Sequence, residues 1–318
     1  MRNRWPLPAV AALVAALAFP HALRAGQIRV NVSNYAFTPS SASANLGDHI
    51  VWVWTGGAHT VTSGDFNTDP ILTGDGLFNS SPTGFSPVGA TFSWKSTVTG
   101  SRPYYCQPHV PEMAATLNLV ASGAAGVADF RLTEVQFNAA GNLDLIEIAN
   151  LGAAGNLGKY RLKVAGFAVQ TLQIGASTDI VVAGGGRVVL HCNTTGTNSA
   201  TDLYLPAITN LPDQGSVALY VPNTIYTSLA NADQMIDFVQ WGAGGQENEA
   251  TAQAAGFWAA GAAILNVASG HSIEFCGQPG QYGAAQWHEI STPNFGGDGN
   301  CATPTFGTTW GRIKSLYR

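Results

Sequence analysis

Between residues 27 and 242 the chain is a succession of short apolar or alternating runs, each closed by Gly, Asn or Pro. "QIRVNV" (27–32) alternates polar and apolar residues, as a strand with one buried face does. "DHIVWVWT" (48–55) is apolar on both faces and reads as an inner strand of a sandwich. "GATFSWKS" (89–96), "RPYYC" (102–106) and "ATLNLV" (115–120) complete a first set. "ASGAAGVA" (121–128) is small, uncharged and flexible in composition, a linker. Strand-like runs resume at 130–137, 143–150, 159–165, 186–192, 216–221 and 235–242. Strands spaced by turn residues make an all-β sandwich or barrel. The 37 Gly, 16 Pro and 10% charged residues agree with that class. One Ala-rich interruption, "EATAQAAGFWAAGAAI" (249–264), has room for a short helix. Since 318 residues exceed what one core usually holds, two β-domains are expected, at 26–120 and 129–300.

The ends differ in character. Arg2 and Arg4 precede "AVAALVAALAF" (9–19), an apolar core too short to span a bilayer. Residues 1–25 therefore read as a signal peptide, cut after Ala25 or Ala22. No cysteine follows it for lipidation, and no later apolar stretch reaches 18 residues. The expectation is an exported protein, periplasmic, cell-surface or secreted. A net charge of −5 without a basic run after residue 25 gives nucleic acid no electrostatic footprint. The tail 301–318 ends in "TTWGRIKSLYR", with Trp310, Ile313 and Leu316 or Tyr317 at helical spacing. It reads either as a helix docked on its own domain or as a tail that an envelope partner recognises.

Export permits disulfides, yet four scattered cysteines are too few for a disulfide scaffold. Cys276 and Cys301 bracket a Gly-rich segment and are the expected pair, while Cys192 ends the apolar run "RVVLHC" and reads as a buried small hydrophobe. Cys106 has different company. In "CQPHVPEM" it is followed by His109 three residues on and Met113 four residues later. Thiolate and thioether are soft ligands that favour copper, and imidazole suits both of its oxidation states. Two His, one Cys and a weak axial Met form the blue-copper arrangement. The second imidazole is His59, in "GGAHTVTSG" (56–64) after the doubly apolar strand. His49, His191, His271 and His288 lack spaced partners and read as structural or surface residues. Asp144, Glu147, Asp237 and Glu274 share no motif and read as solvated or turn carboxylates. Nothing resembles a nucleophile elbow, a P-loop or a zinc-protease signature, so no catalytic residue and no enzyme activity are expected.

Residues 27–120 resemble the cupredoxins, nearest the plastocyanin-like group. "FTPSSASANLGDHIVWVW" precedes the first ligand loop and "GLFNSSPTGFSPVGATFSWKSTVTGSRPYYCQPHVPEM" runs through the second. The resemblance implies a Greek-key β-sandwich holding one type 1 copper ion through His59, Cys106, His109 and Met113. It implies single-electron transfer to a redox partner docking near His109, ringed by Pro108, Val110 and Pro111. Two departures stand out: Thr60 occupies the position after the first ligand, where the family commonly has Asn, and "AAT" (114–116) replaces the usual tight turn after Met113. Residues 129–297 resemble the lamin-tail domain, an immunoglobulin-like β-sandwich, on "LDLIEIANLG" (143–152), "LGKYRLKV" (157–164), "GSVALYVPN" (215–223), "IDFVQWG" (236–242) and "HEISTPNFG" (288–296). That likeness implies attachment or partner binding. Copper delivery or storage is the alternative reading. A copper-dependent oxidoreductase is disfavoured because the chain has no His-x-His for further copper ions.

Overall fold

A computed structural model describes residues 26–80, 84–278, 280–299 and 301. The expected signal peptide, and all of the expected tail after Cys301, lie outside the described residues. The described chain is almost wholly β, as the punctuated runs predict.

The first unit has eight strands: β1 (Gln27–Ser33), β2 (Ala36–Thr38), β3 (Ser41–Asn45), β4 (His49–Trp54), β5 (Thr62–Ser63), β6 (Thr91–Lys95), β7 (Gly100–Tyr105) and β8 (Ala114–Val120). They form two sheets, ordered β2-β1-β4-β6 and β3-β8-β7-β5. β1 runs parallel to β4 and β3 parallel to β8; the other neighbours are antiparallel. Apolar side chains of both sheets, among them Val30, Ile50, Trp52, Phe92, Tyr104 and Leu117, fill the space between them. Trp52 stacks on Phe92 with ring centroids 5.4 Å apart, the kind of aromatic pair that adds to simple area burial.

β4 explains its own composition. Successive strand residues face opposite ways. Ile50, Trp52 and Trp54 enter the core of the first unit, whereas Val51 and Val53 join the core of the second. The strand is apolar on both faces because a second sandwich, not solvent, covers its outer side.

That second unit has a six-stranded sheet, ordered Asp202–Leu205, Arg187–Cys192, Leu145–Asn150, Phe130–Gln136, Ser272–Phe275, Trp287–Ile290. A four-stranded sheet, Gln170–Thr171, Arg161–Val164, Gly215–Tyr220, Met235–Trp241, accompanies it. The Ala-rich interruption supplies one α-helix, Glu249–Ala254. Cys276 and Cys301 are disulfide-bonded, and Cys192 is a free, buried thiol.

The four carboxylates expected in solvent or turns are instead buried: Asp144 1% exposed, Glu147 1%, Asp237 2% and Glu274 4%. Burying a charge is costly unless it is paired or hydrogen-bonded. Asp237 accepts from Arg131 Nε at 3.0 Å, Glu147 meets Arg187, and Asp144 accepts the backbone N–H groups of Ala139 at 2.9 Å and Leu211 at 2.6 Å. These partners come from other strands and loops, so no local motif announces them.

The segment 121–128 reads as a linker by composition, yet it is anchored at several points, the Val127 carbonyl accepting the Ala153 N–H at 2.9 Å among them. Ala124 N–H donates to Asn45 Oδ1 at 2.8 Å, and Ala128 exchanges backbone hydrogen bonds with Gln27. Further along the junction Thr91 N–H donates to Thr224 Oγ1 at 2.8 Å, Ser93 Oγ donates to the Pro222 carbonyl, and Arg29 pairs with Asp179 at 2.7 Å.

Candidate metal centre

Local geometry at one end of the first unit begins with β4. Past Trp54 the chain turns through Gly56 and Gly57 and reaches His59. Gly57 has φ +69°, and a Cβ there would lie 2.4 Å from His59 Nε2; only glycine lets the imidazole sit where it does. The Trp54 indole N–H donates to the His59 carbonyl at 3.0 Å, and His59 exchanges backbone hydrogen bonds with Ser86. His59 is thereby fixed from both sides and left 2% exposed.

β5 pairs with β7 through Thr62 and Tyr105, which places the His59 loop beside Cys106. A short 3-10 turn, Gln107–His109, follows directly, with Pro108 at its start, where a fixed φ and a missing N–H are tolerated. His109 N–H donates to the Cys106 carbonyl at 3.0 Å, Met113 N–H to the His109 carbonyl at 2.8 Å, and Cys106 N–H to the Met113 carbonyl at 3.0 Å. These three bonds close residues 106–113 into a compact loop. Cys106 and Met113 are buried, His109 and Val110 half-buried, and Pro108 and Pro111 exposed.

Three of the four expected ligands converge. His59 Nδ1 lies 3.0 Å from His109 Nδ1, and Cys106 Sγ lies 3.2 Å from His109 Nδ1 and 3.8 Å from His59 Nδ1. All three donor atoms fall within 4.8 Å of one another. Met113 closes the same loop and is 1% exposed, with its backbone bonded to both Cys106 and His109.

The donor chemistry fits a soft metal ion. Histidines elsewhere satisfy a ring nitrogen with an oxygen: buried His49 with the Asp233 carbonyl at 2.6 Å, half-buried His191 with Asp202 at 2.9 Å. At the centre, His59 Nδ1 meets only another imidazole and a thiol, and its buried Nε2 has no partner among the described residues. Burial, and then the neighbouring His109, lower the His59 pKa, which favours the neutral ring that metal binding requires. Burial raises the Cys106 pKa, offset in part by Thr60.

Thr60 supplies what its departure from Asn puts in question. Its backbone N–H donates to Cys106 Sγ at 3.2 Å and its hydroxyl lies 3.8 Å from the same sulfur. The hydroxyl also accepts from Gln107 N–H at 2.8 Å, tying the His59 loop to the loop 106–113. Among the described residues, no other histidine and no carboxylate joins this group. Sequence reasoning passes over Gly57, Ser86 and Tyr35. The signal for Tyr35 is the pair "NY" at the only place where "VNVSNYAFT" can turn between two strands.

No protein-family model matches the chain, and no curated protein matches it. Solved structures do. A purple cupredoxin from Nitrosopumilus maritimus is 20% identical, with 29% of this chain and 97% of that one covered at a TM-score of 0.25. The oxidised plastocyanin of Dryopteris crassirhizoma is 19% identical, with 29% and 99% covered at 0.23. A reduced Cu(I) form of an amicyanin mutant is 21% identical, with 32% and 90% covered at 0.24.

Proposed function

We propose that the chain is an exported, non-enzymatic electron carrier with one copper ion held by His59, Cys106, His109 and Met113. The observation that carries this reading is the convergence of two imidazole Nδ1 atoms and one thiol within 4.8 Å, with no carboxylate in the group. A copper ion at such a site supplies one-electron exchange between its +1 and +2 states. The protein's own groups do the rest. Burial of Cys106, His59 and Met113 keeps bulk water from the donors and favours retention of a metal over its hand-off. Thr60 N–H withdraws charge from the sulfur and fixes its orientation. Half-buried His109, flanked by exposed Pro108 and Pro111, is the edge a redox partner approaches. The second sandwich serves attachment or partner binding, in keeping with its lamin-tail resemblance; it presents loops and strand edges while its interior is filled.

Titration of the purified full-length chain with copper(II) tests the reading. One equivalent should bind and develop an intense visible charge-transfer band. Met113→Leu should keep the band and raise the potential, since the axial ligand tunes it. A colourless product, or a stoichiometry near two, would overturn the proposal.

A further inference from the structure

The turn between β1 and β2 carries a residue that its backbone geometry does not favour. Ser33 pairs with Ala36, so Asn34 and Tyr35 form a two-residue hairpin loop. Both are left-handed, Asn34 at φ 46° and Tyr35 at φ 61°. Such turns favour Asn followed by Gly, because only Gly takes the second position without steric conflict. Asn34 follows that rule and Tyr35 breaks it. A bulky side chain in the left-handed region is an outlier, and such strain gathers at functional sites. The ring is also 61% exposed, so its burial does not account for it.

What the strain accomplishes is visible in where the ring lies. Tyr35 is edge-on to His109, with centroids 4.6 Å apart and planes at 81°, and edge-on to His59 at 5.7 Å and 78°. On their other sides, His109 Nδ1 meets the buried Cys106 sulfur and His59 lies against the Gly57 turn. Tyr35 is added from the solvent side, on a hairpin outside both ligand loops.

We infer that Tyr35 is a specificity-determining residue of the metal centre: its ring covers the solvent edge of the His59–His109 pair and keeps small exogenous ligands from reaching the metal. The inference rests on the copper reading above. It makes the centre one that exchanges electrons across a closed surface and does not admit an anion to the ion itself.

The test uses the copper-loaded full-length chain as wild type, Tyr35→Gly, Tyr35→Asn and Tyr35→Phe. Three quantities are measured: perturbation of the visible band by azide, the rate of copper loss to an excess of chelator, and the thermal midpoint of the metal-free protein. Gly relieves the left-handed strain and Asn tolerates it, so the metal-free midpoint should hold or rise in both. Copper loss should nonetheless accelerate by roughly tenfold, as expected when a group around the ligands is removed. Azide should perturb the band only in these two variants, and Tyr35→Phe should match wild type. Wild-type loss rates in Tyr35→Gly and Tyr35→Asn would overturn the inference. So would copper loss that simply tracks a falling midpoint, or a Phe variant that behaves like Gly. A wild-type chain without the charge-transfer band would sink the copper reading first, and this inference with it, before any variant is compared.

Discussion

Each sandwich buries one free cysteine completely, and the two thiols sit in opposite company. Cys106 and Cys192 are both 0% exposed. Cys192 belongs to the apolar core between the sheets of the second unit, where burial and the nearby Asp144 push its pKa up to about 12. Cys106 also has its pKa raised by burial, but its sulfur faces two ring nitrogens and receives the Thr60 N–H. Burial alone says nothing about the role of a cysteine; what the sulfur faces decides it. The same contrast extends to the charged groups. In the second unit the buried carboxylates of Asp237 and Glu147 pair with Arg131 and Arg187. At the candidate metal centre the donors meet one another, and among the described residues no carboxylate joins them.

Replacing each thiol in turn separates the two roles. Cys106→Ser removes the soft donor and should abolish the visible band of the copper-loaded protein altogether, with the far-ultraviolet circular dichroism preserved. Cys192→Ala should leave band, stoichiometry and potential unchanged and instead lower stability by about 1–2 kcal/mol, the cost of a small cavity. Urea unfolding and absorption spectra of the two variants check both halves. A Cys192 variant that loses colour would mean that the units share one site.

Where the units meet, His49 sharpens the contrast, because it is a histidine of the first unit satisfied by the second. Its Nε2–H donates to the Asp233 carbonyl at 2.6 Å, leaving Nδ1 buried without a partner among the described residues. Burial lowers its pKa to about 4, outweighing the Asp233 carbonyl; Lys95 and Asp233 are the charged groups facing it. The folded form thus resists a proton that the unfolded chain takes up below about 6.5. Stability is fully present above pH 6.5 and falls as the pH drops towards 4, by roughly 3 kcal/mol from this group. His49→Gln keeps a donor for the carbonyl but does not titrate. Unfolding midpoints of the two proteins should therefore diverge between pH 7 and pH 4.5, with wild type losing more. Parallel curves would show that the junction tolerates the charge.

The convergence of His59, Cys106 and His109 was legible because its chemistry is local: a thiol and an imidazole three residues apart, and a second imidazole after a doubly apolar strand. Long strands were legible for the same reason, since alternation within five or more residues is visible along the chain. β2, β3 and β5 escape notice because they are short or built of small residues; Ser41–Asn45 buries only alanines. The burial of Glu147 and Asp237 was not legible either, because Arg187 and Arg131 reach them from distant strands. Nor was the cover over Val51 and Val53. A strand apolar on both faces announces that both are covered, but the covering surface lies in the second unit. Tyr35 shows a third kind of blindness. Its turn is readable, but the φ of the residue and the ring's approach to His109 exist only in three dimensions.

Thr60 carries the smallest of these expected effects and the finest version of the comparison. Cys192 lies in an apolar cluster, whereas Thr60 offers the Cys106 sulfur polar hydrogens, one from its backbone and one from its hydroxyl. Thr60→Val keeps the shape and the backbone N–H and removes the hydroxyl alone. Gln107 N–H then loses its acceptor, a loss of about 1 kcal/mol for a half-buried group that water can partly satisfy. With one weak donor gone the sulfur holds more charge, which favours the more highly charged oxidation state of the ion. The potential should therefore fall, by roughly 30 mV, or about 0.7 kcal/mol for one electron. The visible band should persist, because the 3.2 Å backbone contact and all four proposed ligands remain. Redox titration of the variant against wild type measures the shift. An unchanged potential would mean that the hydroxyl serves the loop through Gln107 and does not act on the sulfur at all.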